Sequence, residues 1–423
     1  MEITELKSLF GELYGSDEET INAQMLRYSS LHETYLQNFG KGELHWFSTP
    51  GRTEIGGNHT DHNHGRVLAG SLNLDSVAIA GRSNDERVCV YSTGYEEPFE
   101  LDLNELGINE KETGTTTSLI RGIAARLRDL GYSIGGFNAC ITSDVLPGSG
   151  LSSSASIEVL IGTIFNALFN NDMISPEVLA MTGQYSENKY FGKPCGLMDQ
   201  VACAMGGIVT IDFRDPSDPQ IRKVDFDFAA REYSLVVVDT GGTHADLTDD
   251  YASVPTEMKS VAGFFGKEVC REIEMRELLA VLPEIRERSG DRAVLRVLHF
   301  LGDNERVGRQ VAALEEGDFN AFLAMVTESG NSSYKRLQNI YSPHNVTEQG
   351  VALALTLSEN FLEELGEGAC RVHGGGFAGT IQIFIPNRAV EDYKSLMEPV
   401  FGDDSVHVLK IRSLGTAHLN KLV

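Results

Sequence analysis

The chain has 423 residues, a length that fits two or three domains, and its 41% hydrophobic and 8% aromatic content supplies a sizeable core, which excludes a disordered chain. Against 35 Lys and Arg stand 61 Asp and Glu, a net charge of −26. That balance excludes a nucleic-acid backbone or an anionic membrane as the main partner, since both need basic patches, and it leaves any anionic substrate to a few local cations.

The N-terminal Met1-Glu2-Ile3-Thr4-Glu5-Leu6 lacks a basic start followed by an apolar run, so no signal peptide is expected. Residues 1 to about 40 read as helical, polar and acidic. His45-Trp46-Phe47-Ser48 reads as a strand, ended by a break at Pro50-Gly51. Strands are expected at 77–80 and 88–91, with Ser83-Asn84-Asp85-Glu86 as the turn between them. Residues 115–130 have helical spacing, and Gly131 suits the C-terminal cap. A strand at 137–143 follows. The best apolar stretch, 160–168, is interrupted by Gly162, Thr163 and Asn166 and falls short of the about 18–20 residues of a membrane span.

Further strands are expected at 207–212 and 234–239. Arg214-Asp215-Pro216-Ser217-Asp218-Pro219 reads as an exposed loop and marks a boundary, dividing the chain into lobes of residues 1–212 and 213–423. Charge interleaved with Leu, Val and Phe between 254 and 326 gives several helices, and strands return near 382–385 and 406–411. The mixture shows no regular βαβ alternation, so the expected fold class is α+β with two lobes. The six cysteines, Cys89, Cys140, Cys195, Cys203, Cys270 and Cys370, are scattered without a C-x-x-C pair, which suits reduced thiols and a cytoplasmic location.

Three segments carry chemistry. The first, Asp144 to Ala155, follows a strand and opens a helix with apolar residues Ile157, Leu160, Ile161, Ile164, Phe165 and Leu168 on one face. Its Pro147, Gly148, Ser149, Gly150, Leu151, Ser152, Ser153 and Ser154 put flexible backbone and hydroxyls beside the free N–H groups and positive end of a helix, an anion cradle. It lacks the G-K-[ST] of a Walker loop, and the plainer alternative is a Gly-rich turn with a Ser N-cap.

The second, Pro50 to Gly65, packs Arg52, His59, Asp61, His62 and His64 into a Gly-rich loop. It reads as a polyhydroxyl site, with Asp61 and His59 on hydroxyls and Arg52 on a phosphate, or as a metal cluster of His59, Asp61, His62 and His64, or as a solvated loop. The third, Glu187 to Gln200, separates two acids by a Gly/Pro-containing loop. Glu187 is expected at a helix end and Asp199 at a turn, one as a Mg²⁺ ligand and the other as a proton acceptor. A fourth segment, Arg371 to Thr380, is a glycine cluster feeding a strand, for close backbone packing or ligand approach.

In this order the segments resemble the motifs of the GHMP small-molecule kinases and, within them, the galactokinase family. Pro50 to Gly65 is similar to P-G-R-V-N-L-I-G-E-H-T-D-Y-N-G-G, Pro147 to Ala155 to P-x-G-x-G-L-S-S-S-A, Cys195 to Gln200 to C-G-I-M-D-Q, and Ala369 to Thr380 to G-A-R-M-T-G-G-G-F-G-G-C. The resemblance spans residues 47 to 385. It implies the two-lobed GHMP fold with mixed and antiparallel sheets and the active site between the lobes, and an ATP-dependent sugar-1-kinase, with ATP and Mg²⁺ required. It implies Asp199 as the catalytic aspartate facing the anomeric hydroxyl, and Arg52 as the arginine that steadies it and the transferring phosphoryl group. By the same likeness Ser154 and Glu187 resemble Mg²⁺ ligands, residues 147–154 the ATP phosphate cradle, and Asn58, His59, Asp61, Gly196 and Tyr251 sugar-binding positions. A small sugar and ATP are then the partners, with no nucleic acid and no membrane; the oligomeric state is left open, with a monomer favoured.

Departures from the pattern bear on the sugar. Thr53 and Glu54 replace Val and Asn, Asn58 replaces the Glu that accepts a bond from the C6 hydroxyl, and His62 replaces Tyr. Ala252-Ser253-Val254-Pro255 follow Tyr251 in place of N-x-R-R, and Ala378 stands for a Gly. An amide at 58, with His62, His64 and Arg66 near, tolerates a C6 carboxylate. The resemblance makes galactose the leading substrate, and these departures keep galacturonate, N-acetylgalactosamine or arabinose as alternatives. A non-catalytic sugar sensor and a metal-dependent hydrolase using the His cluster are the readings of another class.

Overall fold

The computed structural model describes residues 3–145, 150–242 and 247–423. Among them, twelve strands form two sheets. The larger begins with His45–Gly56 (β1), Arg66–Arg82 (β2), Arg87–Ser92 (β3), Phe99–Asp102 (β4), Phe137–Ser143 (β5), Ile208–Asp212 (β6) and Gln220–Val224 (β7). The smaller contains Tyr233–Asp239 (β8), Ala369–Val372 (β9), Thr380–Pro386 (β10) and Val406–Leu409 (β11), and the last strand, Ala417–His418 (β12), returns to the larger. The orders are β12-β1-β2-β5-β3-β4, with β6 on the first half of β2 and β7 beyond it, and β11-β8-β10-β9. β3 and β5 are parallel and the other pairs antiparallel, which is the mixed α+β arrangement expected from the sequence.

Both faces of the larger sheet are buried, and strand alternation shows how. Trp46, Val77 and Ile79 point to the helices Ile3–Tyr14 (α1) and Glu18–Phe39 (α2), while Phe47, Ala78 and Ala80 point to Thr116–Asp129 (α3) and Ser153–Asn170 (α4). In the smaller sheet, Val236 and Val238 face the helices Gly350–Leu365 and Val390–Phe401. Leu235 and Val237 face a core that includes Leu68, Leu72 and Ile208 of the larger sheet, with Val307 and Phe322 from the helices Asp291–Glu315 and Phe319–Ser332. The two lobes therefore share apolar packing rather than meeting at a polar seam.

Three local differences from the expectations have physical causes. The Pro50-Gly51 break does not end β1, which runs on to Gly56 past a register shift between Pro50 and Arg52; a bulge accommodates a residue that cannot donate to the ladder. The exposed loop near 214–219 is followed by β7, which pairs with β6, so the larger sheet continues into the segment past residue 213. At the other end, Lys410 and Arg412 hydrogen-bond to Asn73 and Ser71 before β12 pairs with β1. Asp75, fully buried, accepts from Tyr14 (2.7 Å), Arg27 (2.7 Å) and Arg412 (3.1 Å), tying the N-terminal helices and the C-terminal tail to β2.

Candidate active site

The site forms where the end of β1, the start of α4, the segment 187–200 and the turn between β9 and β10 converge. Gly51 has no room for a side chain, because a Cβ would stand 2.8 Å from Leu151 O, and the Arg52 N–H donates to that same carbonyl at 3.0 Å. This seats Arg52 against Gly150 and Leu151, just before α4. Its Nε and Nη2 clasp Asp199 Oδ1 and Oδ2 at 2.7 and 2.6 Å, and Nη1 donates to Gly150 O. Such a fork-on-carboxylate pair fixes orientation as well as charge. Burial alone would raise the Asp199 carboxyl, but the Arg52 charge and the hydrogen bonds from Arg52 and Ser152 outweigh it and hold the group below the usual carboxylate range. The Asp199 side chain keeps 34% exposure, against 8% for Arg52, so the carboxylate is the half of the pair that a substrate can reach.

Asp199 lies in the first turn of the helix Met198–Met205, not at a turn as expected, so the positive helix end favours its ionised form. Ser152 stands at the N-cap of α4 with φ 63° and ψ 54°, a left-handed conformation that costs a serine on the order of 1 kcal/mol. Its hydroxyl makes no cap bond; it donates to Asp199 Oδ2 instead. The plain Ser-cap reading of this segment therefore does not hold. Leu151 packs its side chain into the shared core, Ser153 and Ser154 open α4, and Pro147, Gly148 and Ser149 lie outside the described residues.

Glu187 ends the helix Pro176–Ser186 and starts a wide π-helical turn, Glu187–Phe191. Its side chain is 5% exposed, with Ser154 Oγ at 3.4 Å, Gln200 Nε2 at 3.0 Å and Lys193 Nζ at 3.5 Å. Gln200 Nε2 also donates to Glu158 Oε2 at 3.0 Å, while Glu158 Oε1 and Gln200 Oε1 are buried without a partner. Burial first, then the Glu187 carboxylate, pushes the Glu158 carboxyl well above the usual range. Glu158 was missed in the sequence; the available signal was an acid on the apolar face of α4, one turn beyond Ser154.

In the second segment, His59 Nε2 lies 2.8 Å from Gly375 O, so that nitrogen carries the proton and Nδ1 is left as an acceptor. Burial, then His62, lowers His59 to about 4 and keeps it neutral. Gly196 packs directly on Asp61, where a Cβ would overlap the Asp61 carboxylate, and Tyr251 donates to Gly376 O at 2.9 Å. Asn58 departs from the expectation of a sugar contact: it is fully buried, and its side chain bonds to Glu54, Gly374, Ser333 and Asn339. Arg66 is turned toward Asp212, whose Oδ2 accepts from Arg66 Nε at 2.9 Å and from Arg271 Nη2 at 2.8 Å. Among the described residues no three His, Cys, Asp or Glu side chains converge as metal ligands, which leaves the His-cluster hydrolase without a ligand set.

Beneath these residues lies a second buried pair that the sequence did not single out. Arg371 donates to Glu54 Oε1 at 2.6 Å, and His373 sits between Thr53 Oγ1 (3.1 Å) and Thr380 Oγ1 (2.9 Å).

Residues 33–82 match the galactokinase galactose-binding signature, and residues 118–207 match the GHMP kinases N terminal domain. A galactokinase from Streptomyces coelicolor is 31% identical over 378 residues, covering 88% of this chain and 92% of that protein. The chain belongs to the galactokinase family. The fold agrees: the galactose complex of Lactococcus lactis galactokinase superposes with a TM-score of 0.78 at 24% identity, covering 93% of this chain and 100% of that one. Methanococcus jannaschii mevalonate kinase superposes at 0.62 with 16% identity, over 88% and 99%. The two-lobed GHMP kinase fold and a sugar kinase's phosphotransferase class thus stand together with the family.

Proposed function

We propose that this protein transfers the γ-phosphoryl group of ATP to the anomeric C1 hydroxyl of galactose, giving α-galactose 1-phosphate and ADP. The observation that carries this reading is the Arg52–Asp199 clasp at the mouth of α4, with Ser152 strained onto the same carboxylate. Asp199 accepts the C1 hydroxyl. Because Arg52 holds its carboxyl low, Asp199 is a weak base: it orients the hydroxyl and takes the proton as the new O–P bond forms and the bond to the β-phosphate oxygen breaks. The N–H groups opening α4 and the loop 147–154 receive the phosphates, with Arg52 at the transferring group.

Mg²⁺ fits the oxygen donors of Ser154 and Glu187. It is a hard cation that takes one or two carboxylates and completes its shell with phosphate and water, so one carboxylate and one hydroxyl suffice as protein donors. When bound it would neutralise phosphate charge. His59, Asp61, Gly196 and Tyr251 surround the sugar. Residues 1–212 carry the sugar loop and phosphate cradle and residues 213–423 the glycine turn 374–376, with β7 and β12 of the second segment completing the sheet of the first. The six free thiols support a cytoplasmic location.

Commitment of Arg66 to Asp212 favours a neutral sugar over galacturonate. ADP release measured across galactose, N-acetylgalactosamine, galacturonate and arabinose should rank galactose first, and no turnover of any of them sinks the reading. Asp199→Ala should lower kcat by about 10³-fold or more with sugar binding kept; near-normal kcat removes Asp199 from the role, and retained signalling to a protein partner without turnover would favour a sensor.

A further inference from the structure

Asn58 is set apart from the rest of its loop by where its bonds go. Nδ2 donates to Glu54 Oε1 at 3.0 Å and to Gly374 O at 2.6 Å, and Oδ1 accepts from Asn339 Nδ2 at 2.8 Å and Ser333 Oγ at 3.2 Å. A primary amide has two N–H bonds and two carbonyl lone pairs, and here all four are in use with the residue fully buried. The main chain is committed too: the N–H donates to Asp303 Oδ2 at 3.0 Å, and the C=O accepts from His299 Nε2 at 2.9 Å. These partners come from the end of β1, the turn after β9, the helix Asp291–Glu315, and the segment 333–339. One residue thus ties the larger sheet, the glycine turn of the smaller sheet and two helical segments, immediately before His59 and Asp61.

The chemistry at this tie is exchanged relative to the signature quoted above, which has Asn at position 54 and Glu at position 58. Here the carboxylate is Glu54 and the amide is Asn58, and the two are hydrogen-bonded to each other. The exchange carries the charge inward: Glu54 Oε1 also accepts from Arg371, itself fully buried. A carboxylate at 58 in this chain would face Glu54 Oε1 and Gly374 O, two acceptors, in a site with one cation already taken.

We propose that Asn58 is a positioning residue and not a sugar contact, acting through Glu54, Gly374 and Asn339 to set the loop that carries His59 and Asp61 against the glycine turn. The Glu54–Arg371 pair is the internal counterpart of that tie, and the sugar is read without any side chain at position 58. This rests on the sugar-kinase reading above.

The test is a cycle between position 58 and the substrate's hydroxyls. kcat/KM is measured for the full-length wild type and Asn58→Asp with galactose and its 2-, 3-, 4- and 6-deoxy analogues at saturating MgATP. A positioning role predicts one common loss of about 100-fold for all five sugars, because misplacing the loop penalises each alike, with KM for ATP unchanged. A direct contact predicts that the loss shrinks toward unity for the single analogue lacking the contacted hydroxyl, and that result overturns the proposal. If Asn58→Asp does not fold, Asn339→Ala frees Asn58 Oδ1: sugar kcat/KM should fall several-fold, equally for all five, and an unchanged value overturns the proposal. A wild type that phosphorylates none of the five overturns the kinase reading itself, a failure distinct from an active enzyme whose variant losses differ between analogues.

Discussion

His373 makes the stability of this protein depend on pH between 7 and 5, and the size of the effect follows from its surroundings. The ring is 1% exposed and bonded to Thr53 and Thr380. Burial first, and then the Arg52 and Arg371 charges, push it from the ordinary 6.5 down to about 3. A lowered imidazole means that the fold favours the neutral form. Stability is therefore complete above the unfolded value and is lost as pH falls from about 6.5 toward 3, because the unfolded chain binds a proton that the folded chain refuses. From these two values, linkage puts the loss between pH 7 and pH 5 at about 2 kcal/mol. The assay is urea unfolding of the wild type and His373→Gln at both pH values. Gln keeps a polar partner for the two threonines and cannot titrate, so the wild type should lose about 2 kcal/mol more than the variant over that interval. Other groups, including the similarly lowered His59, titrate in both proteins and cancel. Equal losses within about 0.5 kcal/mol would mean that His373 is protonated in the fold, and the reasoning fails.

Two further outcomes are expected at the site. Gly196→Ala drives a methyl into Asp61 and should raise KM for the sugar about 10- to 100-fold while leaving KM for ATP alone, read by initial rates in both substrates; equal changes in both would place Asp61 outside the sugar site. Glu187→Gln, with Ser154 and Gln200 unchanged, should raise the Mg²⁺ concentration for half-maximal rate about tenfold, and an unshifted Mg²⁺ titration would assign the ion to other ligands.

Much of the fold was legible because it rests on local periodicity. The alternation Val77-Ala78-Ile79-Ala80 announces a strand buried on both faces, and the stripe from Ile157 to Leu168 announces α4. What was not legible depends on contacts distant in sequence. The strand β1 passes its Pro-Gly pair because the bulge backs onto Leu151, a hundred residues away in the chain, and β7 exists because β6 offers it a free edge. The Gly/Ser segment before α4 and the acids Glu187 and Asp199 were legible as candidates, and the structure brings Ser152 to Asp199 and Ser154 to Glu187. Glu158, Gln200, Arg371 and His373 were not, for each is a polar residue whose meaning comes only from the partner brought to it.

The loop from His59 to Arg66 shows how proximity in sequence misleads about charge. Three imidazoles and a guanidinium within eight residues suggest a cationic or metal-binding cluster. The backbone disperses them: Asp61–Asn63 forms a single 3₁₀ turn, His59 and His64 adopt left-handed conformations at φ 55° and 61°, and Arg66 starts β2 and leaves for Asp212. His59 is half-buried and held neutral, while His62 is 42% exposed at the side chain. The buried charges nearby are similarly spoken for, with Glu54 on Arg371 and Arg52 on Asp199. What remains for a ligand is the exposed third of one carboxylate, the Nδ1 lone pair of His59, Asp61 and the open end of α4. Hydroxyl-binding groups thus lie on one side and a helix N-terminus on the other, with the exposed Lys193, 3.5 Å from Glu187, as the nearby cation.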